Sequence, residues 1–566
     1  MNFTSFNSTS YEFSYSENSR SVAGLALIFL SAIYITRTLS ERRKGKLPPG
    51  PKGLPIVGNL FQLSLDAWIP FTEWKYKFGS LVYLTAGSQG ILVINSHKVA
   101  TELLDRKANI YNSRPRFIVA SEYLTGGMFL GLVQNNDIWK RMRRAGNEVL
   151  NKTMAPSFYP AQEEEAVRLV YNMLQTPTPK LWDSELQRAA SSLILSMVYN
   201  LPILKSSDDP AIERINQFVS RLTQAIYPGT YLVEYFPWMR HLPAFVSKWK
   251  RDAQMWYRRD TEFFRELYTG VKDRMEKGDD RGSFTSHVIH DQERYELSET
   301  EISWLSANMY SGGAETSATA VSWFMLAMIA YPEVQEKCQE ELDTVVGRFR
   351  MPRFTDQDDL PYIRATAREL LRWRTVVPIG GLSSLHRDLL AISDNKFRSS
   401  TSVDRGAQLP PLIANPRLGS TKTDLRQDDW YGGYFIPKNT IVISNIWAMN
   451  RDKDVYGPDA DVFRPERHLG PDGKLAPSPP DTKRKSGSPK SPASSAERLF
   501  VYPEGNVSFG YGGRICPGRH VANSSLFINI ASILWAANIT PEKDAQGKYV
   551  APNISDTATV NDGIVV

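Results

Sequence analysis

Residues Phe509-Gly-Tyr-Gly512-Gly-Arg514-Ile-Cys516-Pro-Gly518-Arg519, close to the C-terminus of a 566-residue chain, decide how the rest of it is read. Glycines crowd one of only two cysteines. The stretch then runs into His520-Val-Ala-Asn-Ser-Ser-Leu-Phe-Ile-Asn-Ile-Ala-Ser-Ile-Leu-Trp535, which reads as an apolar helix. A cysteine just ahead of a helix, with Pro517 at the first helical position, has backbone N–H groups and the positive helix end near its sulfur. Both favour the thiolate, the form that binds metal. The glycines let the backbone lie close to a flat ligand.

The other cysteine, Cys338, lies in the polar helical stretch Glu336-Lys-Cys-Gln-Glu-Glu-Leu342 and reads as incidental. Two thiols so far apart exclude a disulfide framework and favour cytosolic exposure of most of the chain. With 42% hydrophobic and 23% charged residues there is material for a sizeable core. A net charge of +6 is mild for this length and fits a docking face or an anionic membrane better than a nucleic acid.

The N-terminus carries an address. Residues 1–20 form a tail, and 21–40, including Val22-Ala-Gly-Leu-Ala-Leu-Ile-Phe-Leu30, run almost without charge at the length a bilayer-spanning helix needs. Arg37, Arg42, Arg43, Lys44 and Lys46 follow it, so the positive-inside rule puts the tail in the lumen and the bulk in the cytosol. Asn2 and Asn7 head glycosylation sequons in that tail. A basic, proline-rich hinge over 41–56 stiffens the exit from the membrane into an extended spacer.

Leu81-Val-Tyr-Leu84 and Ile91-Leu-Val-Ile94, separated by Gly87-Ser-Gln-Gly90, predict a β-hairpin. From about Trp139 to Gly347 the spacing is helical throughout. Ser298 and Glu301 form a capping-box pattern opening a helix of about 30 residues that ends before Pro332. Gly312 and Gly313 in its middle cost about 1 kcal/mol each relative to alanine, which close approach of a ligand would offset. Residues 57–566 thus read as one domain, mainly α with a small β portion.

The quoted loop strongly resembles the cysteine-ligand loop of the cytochromes P-450, Phe-x-x-Gly-x-Arg-x-Cys-x-Gly. All five fixed positions are met, by Phe509, Gly512, Arg514, Cys516 and Gly518. The resemblance extends over almost the whole chain and is nearest in texture to microsomal fungal members. It implies the cytochrome P-450 fold behind one transmembrane helix, with haem b (iron protoporphyrin IX) held between the Gly312 helix and Cys516, the axial ligand. A thiolate ligand pushes electron density to the iron and favours O–O cleavage. Arg514 then supplies a cation for a haem propionate, and Trp139 and Arg143 fill the places of the family's propionate-holding helix. Glu315 and Thr316 occupy the oxygen-activation segment: a hydroxyl to hold water against bound dioxygen, and a carboxylate to relay protons. Glu369, Arg372 and Arg467 fit a buried structural network beneath the haem loop.

The implied activity is insertion of one oxygen atom into a hydrophobic small molecule (aromatic, terpenoid or steroid-like, a secondary metabolite or xenobiotic). Electrons come from NADPH through a membrane-bound cytochrome P-450 reductase, at the endoplasmic reticulum membrane. Nicotinamide binds that partner, because Gly510-x-Gly512 lacks the third glycine of a dinucleotide loop. Lys140, Arg141 and Arg144 are candidates for its docking face. His287-Val-Ile-His290 lacks a third metal ligand, and no Gly-x-Ser-x-Gly elbow is present.

Three features depart from the family pattern. About four dozen residues separate Pro378-Ile-Gly-Gly381 from Asp428, with atypical sequence over 382–426 and only His386 as a further propionate candidate. Residues 483–503 lengthen the approach to the cysteine loop, and the chain stops at Gly563-Ile-Val-Val566. Retained introns with a truncated reading frame account for all three. So does the alternative function, a haem-binding copy impaired in catalysis.

Overall fold

The computed structural model describes residues 45–63, 66–87, 89–175, 180–204, 210–226, 229–280, 282–380, 427–476, 505–544, 546–552 and 554–555. The expected lumenal tail, the span over 21–40, Asn2, Asn7, both atypical stretches, His386 and the final residues lie outside these. Among the described residues no helix is long and apolar enough to cross a membrane.

The longer helices, in chain order, are α1 (Trp68–Phe78), α2 (Asp137–Val149), α3 (Tyr159–Gln175), α4 (Lys180–Tyr199), α5 (Pro210–Ile226), α6 (Lys248–Glu276), α7 (Glu299–Ala330), α8 (Pro332–Val345), α9 (Pro361–Trp373) and α10 (Arg519–Ala536). The strands are β1 (Leu81–Ala86), β2 (Gln89–Ile94), β3 (Asp429–Tyr431), β4 (Tyr434–Ile436) and β5 (Ile441–Ser444). The molecule is mainly α, as the periodicity implies.

Helix α7 organises the rest. Its capping box is formed: Ser298 Oγ accepts from the Glu301 N–H and Glu301 Oε2 accepts from the Ser298 N–H at 2.8 Å. The helix is apolar nearly all round, so it is sheathed rather than laid on a surface. Up to Ala314 it packs in one core with side chains of α4, α5 and α6; from Ala318 it joins a second core with α8, α9 and α10. Between these cores, from Ser311 to Ser317, only Ala314 is buried. The two glycines divide their work there. A Cβ on Gly313 would come within 2.9 Å of Ile194 on α4, whereas a Cβ on Gly312 would meet nothing within 4 Å. Helix packing explains the first, and an accessible window the second.

The predicted hairpin is present, β1 antiparallel to β2 with Leu81 opposite Ile94. Strand β5 adds to it in parallel, Ile91 opposite Ile441, in the order β1-β2-β5. Its sequence neighbours β3 and β4 form a separate two-stranded ribbon. Residues 45–56 do not stand off as a spacer. The Lys46 carbonyl accepts from Phe435 N–H at 2.8 Å and the Pro49 carbonyl from Tyr83 N–H at 2.9 Å, so this hinge lies along the sheets.

Helix α10 corrects one expectation. Gly518, not Cys516, is its N-cap, and the Gly518 carbonyl accepts from Ala522 N–H at 2.8 Å. Pro517 therefore stands in the turn before the helix rather than at its first position. The fixed φ of proline suits either place, so local sequence does not separate them.

Candidate active site

The cysteine loop is held from both sides. Cys516 N–H donates to the Phe509 carbonyl at 2.9 Å, closing the turn around Gly510 and Gly512, both at positive φ. At Gly512 a Cβ would also sit 2.3 Å from the Leu104 carbonyl oxygen, so the position has no room for a side chain. A Cβ on Gly518 would lie 4.0 Å from Cys516 Sγ, which keeps that flank of the sulfur slim. Cys516 is partly accessible, whereas Cys338 is fully buried on α8, its thiol pushed up to about 12 by burial. Of the two, only Cys516 can serve a ligand.

Helix α2 delivers Trp139 and Arg143 to this loop. Both are buried, so the reading of α2 as a merely exposed basic helix fails. An Arg143 Nη donates to the Ile515 carbonyl, next to the cysteine. Its Nε is buried without a hydrogen-bond acceptor. Burial lowers the Arg143 pKa to about 10, opposed by Cys516 and aided by repulsion from Arg519 and Arg114. Arg514 stacks its guanidinium 4.0 Å from the centre of the Trp139 ring. Its N–H groups donate to the carbonyls of Asn112 at 2.8 Å, Leu130 at 2.9 Å and Val133 at 2.9 Å. Arg514 thus anchors the loop to residues 112–133 as well as placing positive charge beside it. On the outer side of α2, Lys140 is exposed, while Arg141 pairs with Glu301 at 2.6 Å and Arg144 donates to the Arg294 carbonyl at 2.7 Å.

Thr316 and Glu315 sit in the α7 window. The helix there is continuous, not loosened. Thr316 Oγ1 donates to the Gly312 carbonyl at 2.7 Å, one turn back, which leaves its lone pairs to accept from water. Glu315 is half-buried, with one carboxylate oxygen shielded from solvent.

Glu369, Arg372 and Arg467 come together as expected, with a fourth member. Glu369 and Arg372 are wholly buried and paired through both carboxylate oxygens, at 2.7 and 2.8 Å. Arg467 Nε donates to Glu369 Oε1 at 2.9 Å, and His468 Nε2 lies 2.9 Å from Oε2. Burial alone would raise the Glu369 pKa, but Arg372 and then His468 overrule it and hold the carboxyl at about 2. The network reaches the cysteine loop. Arg372 donates to the Asn450 carbonyl at 2.7 Å, and the Asn450 amide binds Val507 N–H and Ser508 Oγ at 3.0 and 2.9 Å. His468 is legible in sequence only as the neighbour of Arg467; Asn450 and Ser508 carry no signal. His287 and His290 form no metal pair: His290 Nε2 lies 2.8 Å from Asp280, and no metal-ligating cluster occurs among the described residues.

With a thiol set among guanidiniums opposite a helical window, the comparisons agree. A profile of the cytochrome P450 family matches residues 48–407 and 420–552. A cytochrome P450 monooxygenase of Armillaria gallica is 44% identical over 92% of this chain and 87% of its own. Cytochrome P450 monooxygenase 58 of Postia placenta is 42% identical over 96% and 90%. A zebrafish cytochrome P450 solved with progesterone is 20% identical, superposes with a TM-score of 0.60 and covers 85% of this chain and 96% of that one, which shows the fold. The chain belongs to the cytochrome P450 family. Like those fungal relatives it is an oxidoreductase of the monooxygenase class.

The residues present fit the family's haem. Cys516 is an accessible soft donor. Arg143 offers a buried N–H with no acceptor, and Arg114, Arg514 and Arg519 lie around it, a set suited to the carboxylates of a porphyrin.

Proposed function

We propose that this protein is a haem-thiolate monooxygenase that uses haem b, with Cys516 as axial ligand, to insert one atom of dioxygen into a hydrophobic small molecule. The observation that carries the reading is the convergence of Cys516, the acceptor-free Nε of Arg143 and the Arg514–Trp139 stack at one loop. When bound, the haem supplies the dioxygen-binding iron and the oxidising power. One oxygen atom enters the substrate and the other leaves as water, with two protons and two electrons consumed.

The chain's own residues divide the remaining work. Arg143 and Arg514 hold the propionates, Trp139 backs Arg514, and Phe509, Gly512 and Gly518 shape the turn so that it approaches the macrocycle. Thr316, with its hydrogen already placed on the Gly312 carbonyl, holds a water at the window by accepting from it. Glu315 beside it passes protons inward from solvent. Glu369, Arg372 and Arg467 brace the loop from below and take no part in chemistry.

The substrate is apolar, because the window opens from a core that includes Leu305, Ile194, Phe218 and Trp304. A secondary metabolite or xenobiotic of aromatic, terpenoid or steroid-like form suits it. Electrons come from NADPH through a cytochrome P450 reductase, for which exposed Lys140 on the outer face of α2 is a contact. Residues 21–40 anchor the chain in the endoplasmic reticulum membrane, with the domain cytosolic and Asn2 and Asn7 lumenal.

Reconstitution of the haem-loaded protein with reductase and NADPH, over a panel of aromatic, terpenoid and steroid-like compounds, tests this. The expected result is an oxygenated product that Thr316→Ala largely abolishes without loss of haem. A haem-loaded parent that oxidises nothing despite efficient reduction would favour the impaired copy instead.

A further inference from the structure

Leu130 has its two backbone polar groups held by two different functional elements. Its N–H donates to Asn308 Oδ1 of α7 at 2.8 Å, and its carbonyl accepts from Arg514 of the cysteine loop at 2.9 Å. The Asn308 amide nitrogen also donates to the Met128 carbonyl at 3.0 Å. Asn308 is buried and its amide is fully engaged, since it bonds the Trp304 carbonyl as well. Asn308, Gly312 and Thr316 are spaced by four and so lie along one stripe of the helix. The stripe is covered at Asn308 and accessible at Gly312 and Thr316. Residues 128–130 therefore stop at the edge of the window. Gly126 and Gly127, both at positive φ, turn the chain into this position, and Phe129 packs near Phe218 of α5, ring centres 6.2 Å apart.

We infer that Asn308 is a positioning residue that fixes Phe129 and Leu130 as a wall of the substrate site and thereby sets how large a ligand the window admits. Leu130 couples that wall to the haem loop through Arg514. This rests on the haem-thiolate reading above.

Three measurements on the full-length, haem-loaded protein decide it. In the parent, the Leu130 amide should exchange hydrogen slowly, as a bonded interior group does. In Asn308→Leu, which removes both bonds to the segment at similar volume, exchange over 128–131 should rise about tenfold or more with distant peptides unchanged. Imidazole and 4-phenylimidazole, small and bulky haem-iron ligands, report admission by their difference spectra. The variant should bind imidazole within about twofold of the parent and change the bulky-to-small affinity ratio by roughly threefold or more. Asn308→Asp keeps the acceptor for Leu130 N–H and should exchange nearer the parent than the leucine variant does.

Fast exchange of Leu130 in the parent overturns the inference even where a variant fails to load haem. So does an unchanged ratio in Asn308→Leu, or a loss of protection spread over the whole molecule. Failure of the underlying reading looks different: the parent then gives no thiolate-type ferrous carbonyl.

Discussion

Glu369→Gln removes one charge and almost no volume from the most buried ion cluster in the molecule. Glu369 accepts from Arg372 at 2.7 and 2.8 Å, from Arg467 at 2.9 Å and from Arg464 N–H at 2.8 Å, with His468 at 2.9 Å. The substitution keeps one acceptor and turns an N–H₂ toward those donors. Arg372, wholly buried, is left without its counter-charge. Breaking a buried pair on one side costs about 3–5 kcal/mol. The pKa gives a second route to the figure. The fall from an ordinary 4.5 to about 2 corresponds to ~3 kcal/mol of native-state stability at neutral pH. Because the folded value is depressed, that contribution is fully present above pH 4.5 and is lost as pH falls toward 2. Denaturant unfolding followed by tryptophan fluorescence should show the Glu369→Gln variant ~3 kcal/mol below the parent at pH 7, with a gap that narrows below about pH 4.5. Haem loading should weaken too, since Asn450 and Ser508 link the cluster to the cysteine loop. A gap under about 1 kcal/mol at pH 7, or one that ignores acid, would refute the reasoning.

Arg143→Leu should keep the fold but release haem to an apomyoglobin acceptor about tenfold faster or more, because the buried donor to a propionate is gone. Gly312→Ala should stabilise α7 by up to about 1 kcal/mol in thermal unfolding, since an added methyl meets nothing, yet should weaken ligand binding measured by difference spectra. Gly512→Ala should destabilise by about 1–3 kcal/mol, because positive φ and the Leu104 carbonyl both oppose a side chain.

The parts of this protein that are legible in sequence are those whose signals are local. The capping box of α7 lies within four residues, the cysteine loop within ten, and Glu369 and Arg372 within one helical turn. Strand β5 escapes because its partner β2 lies far earlier in the chain and pairs in parallel through backbone groups, which carry no sequence label. Docking of the hinge escapes for the same reason: Lys46 and Pro49 act through their carbonyls. Gly312 and Gly313 look equivalent in sequence, and only the approach of Ile194 to one of them separates helix packing from an open window. Arg514 is legible as a cation near haem, but its three carbonyl partners belong to a segment with no periodic pattern. Pro517 falls outside the helix it is expected to open, a boundary that cap geometry alone decides.

The central claim is a sulfur–iron bond at Cys516, and the carbon monoxide difference spectrum of the dithionite-reduced protein tests it most directly. The parent and Cys338→Ser, whose buried thiol is held protonated, should both give the red-shifted ferrous carbonyl of a thiolate-ligated haem, and Cys516→Ser should not. A purified parent without porphyrin, a parent carbonyl like that of a histidine-ligated globin, or a thiolate signature that survives in Cys516→Ser would contradict the account.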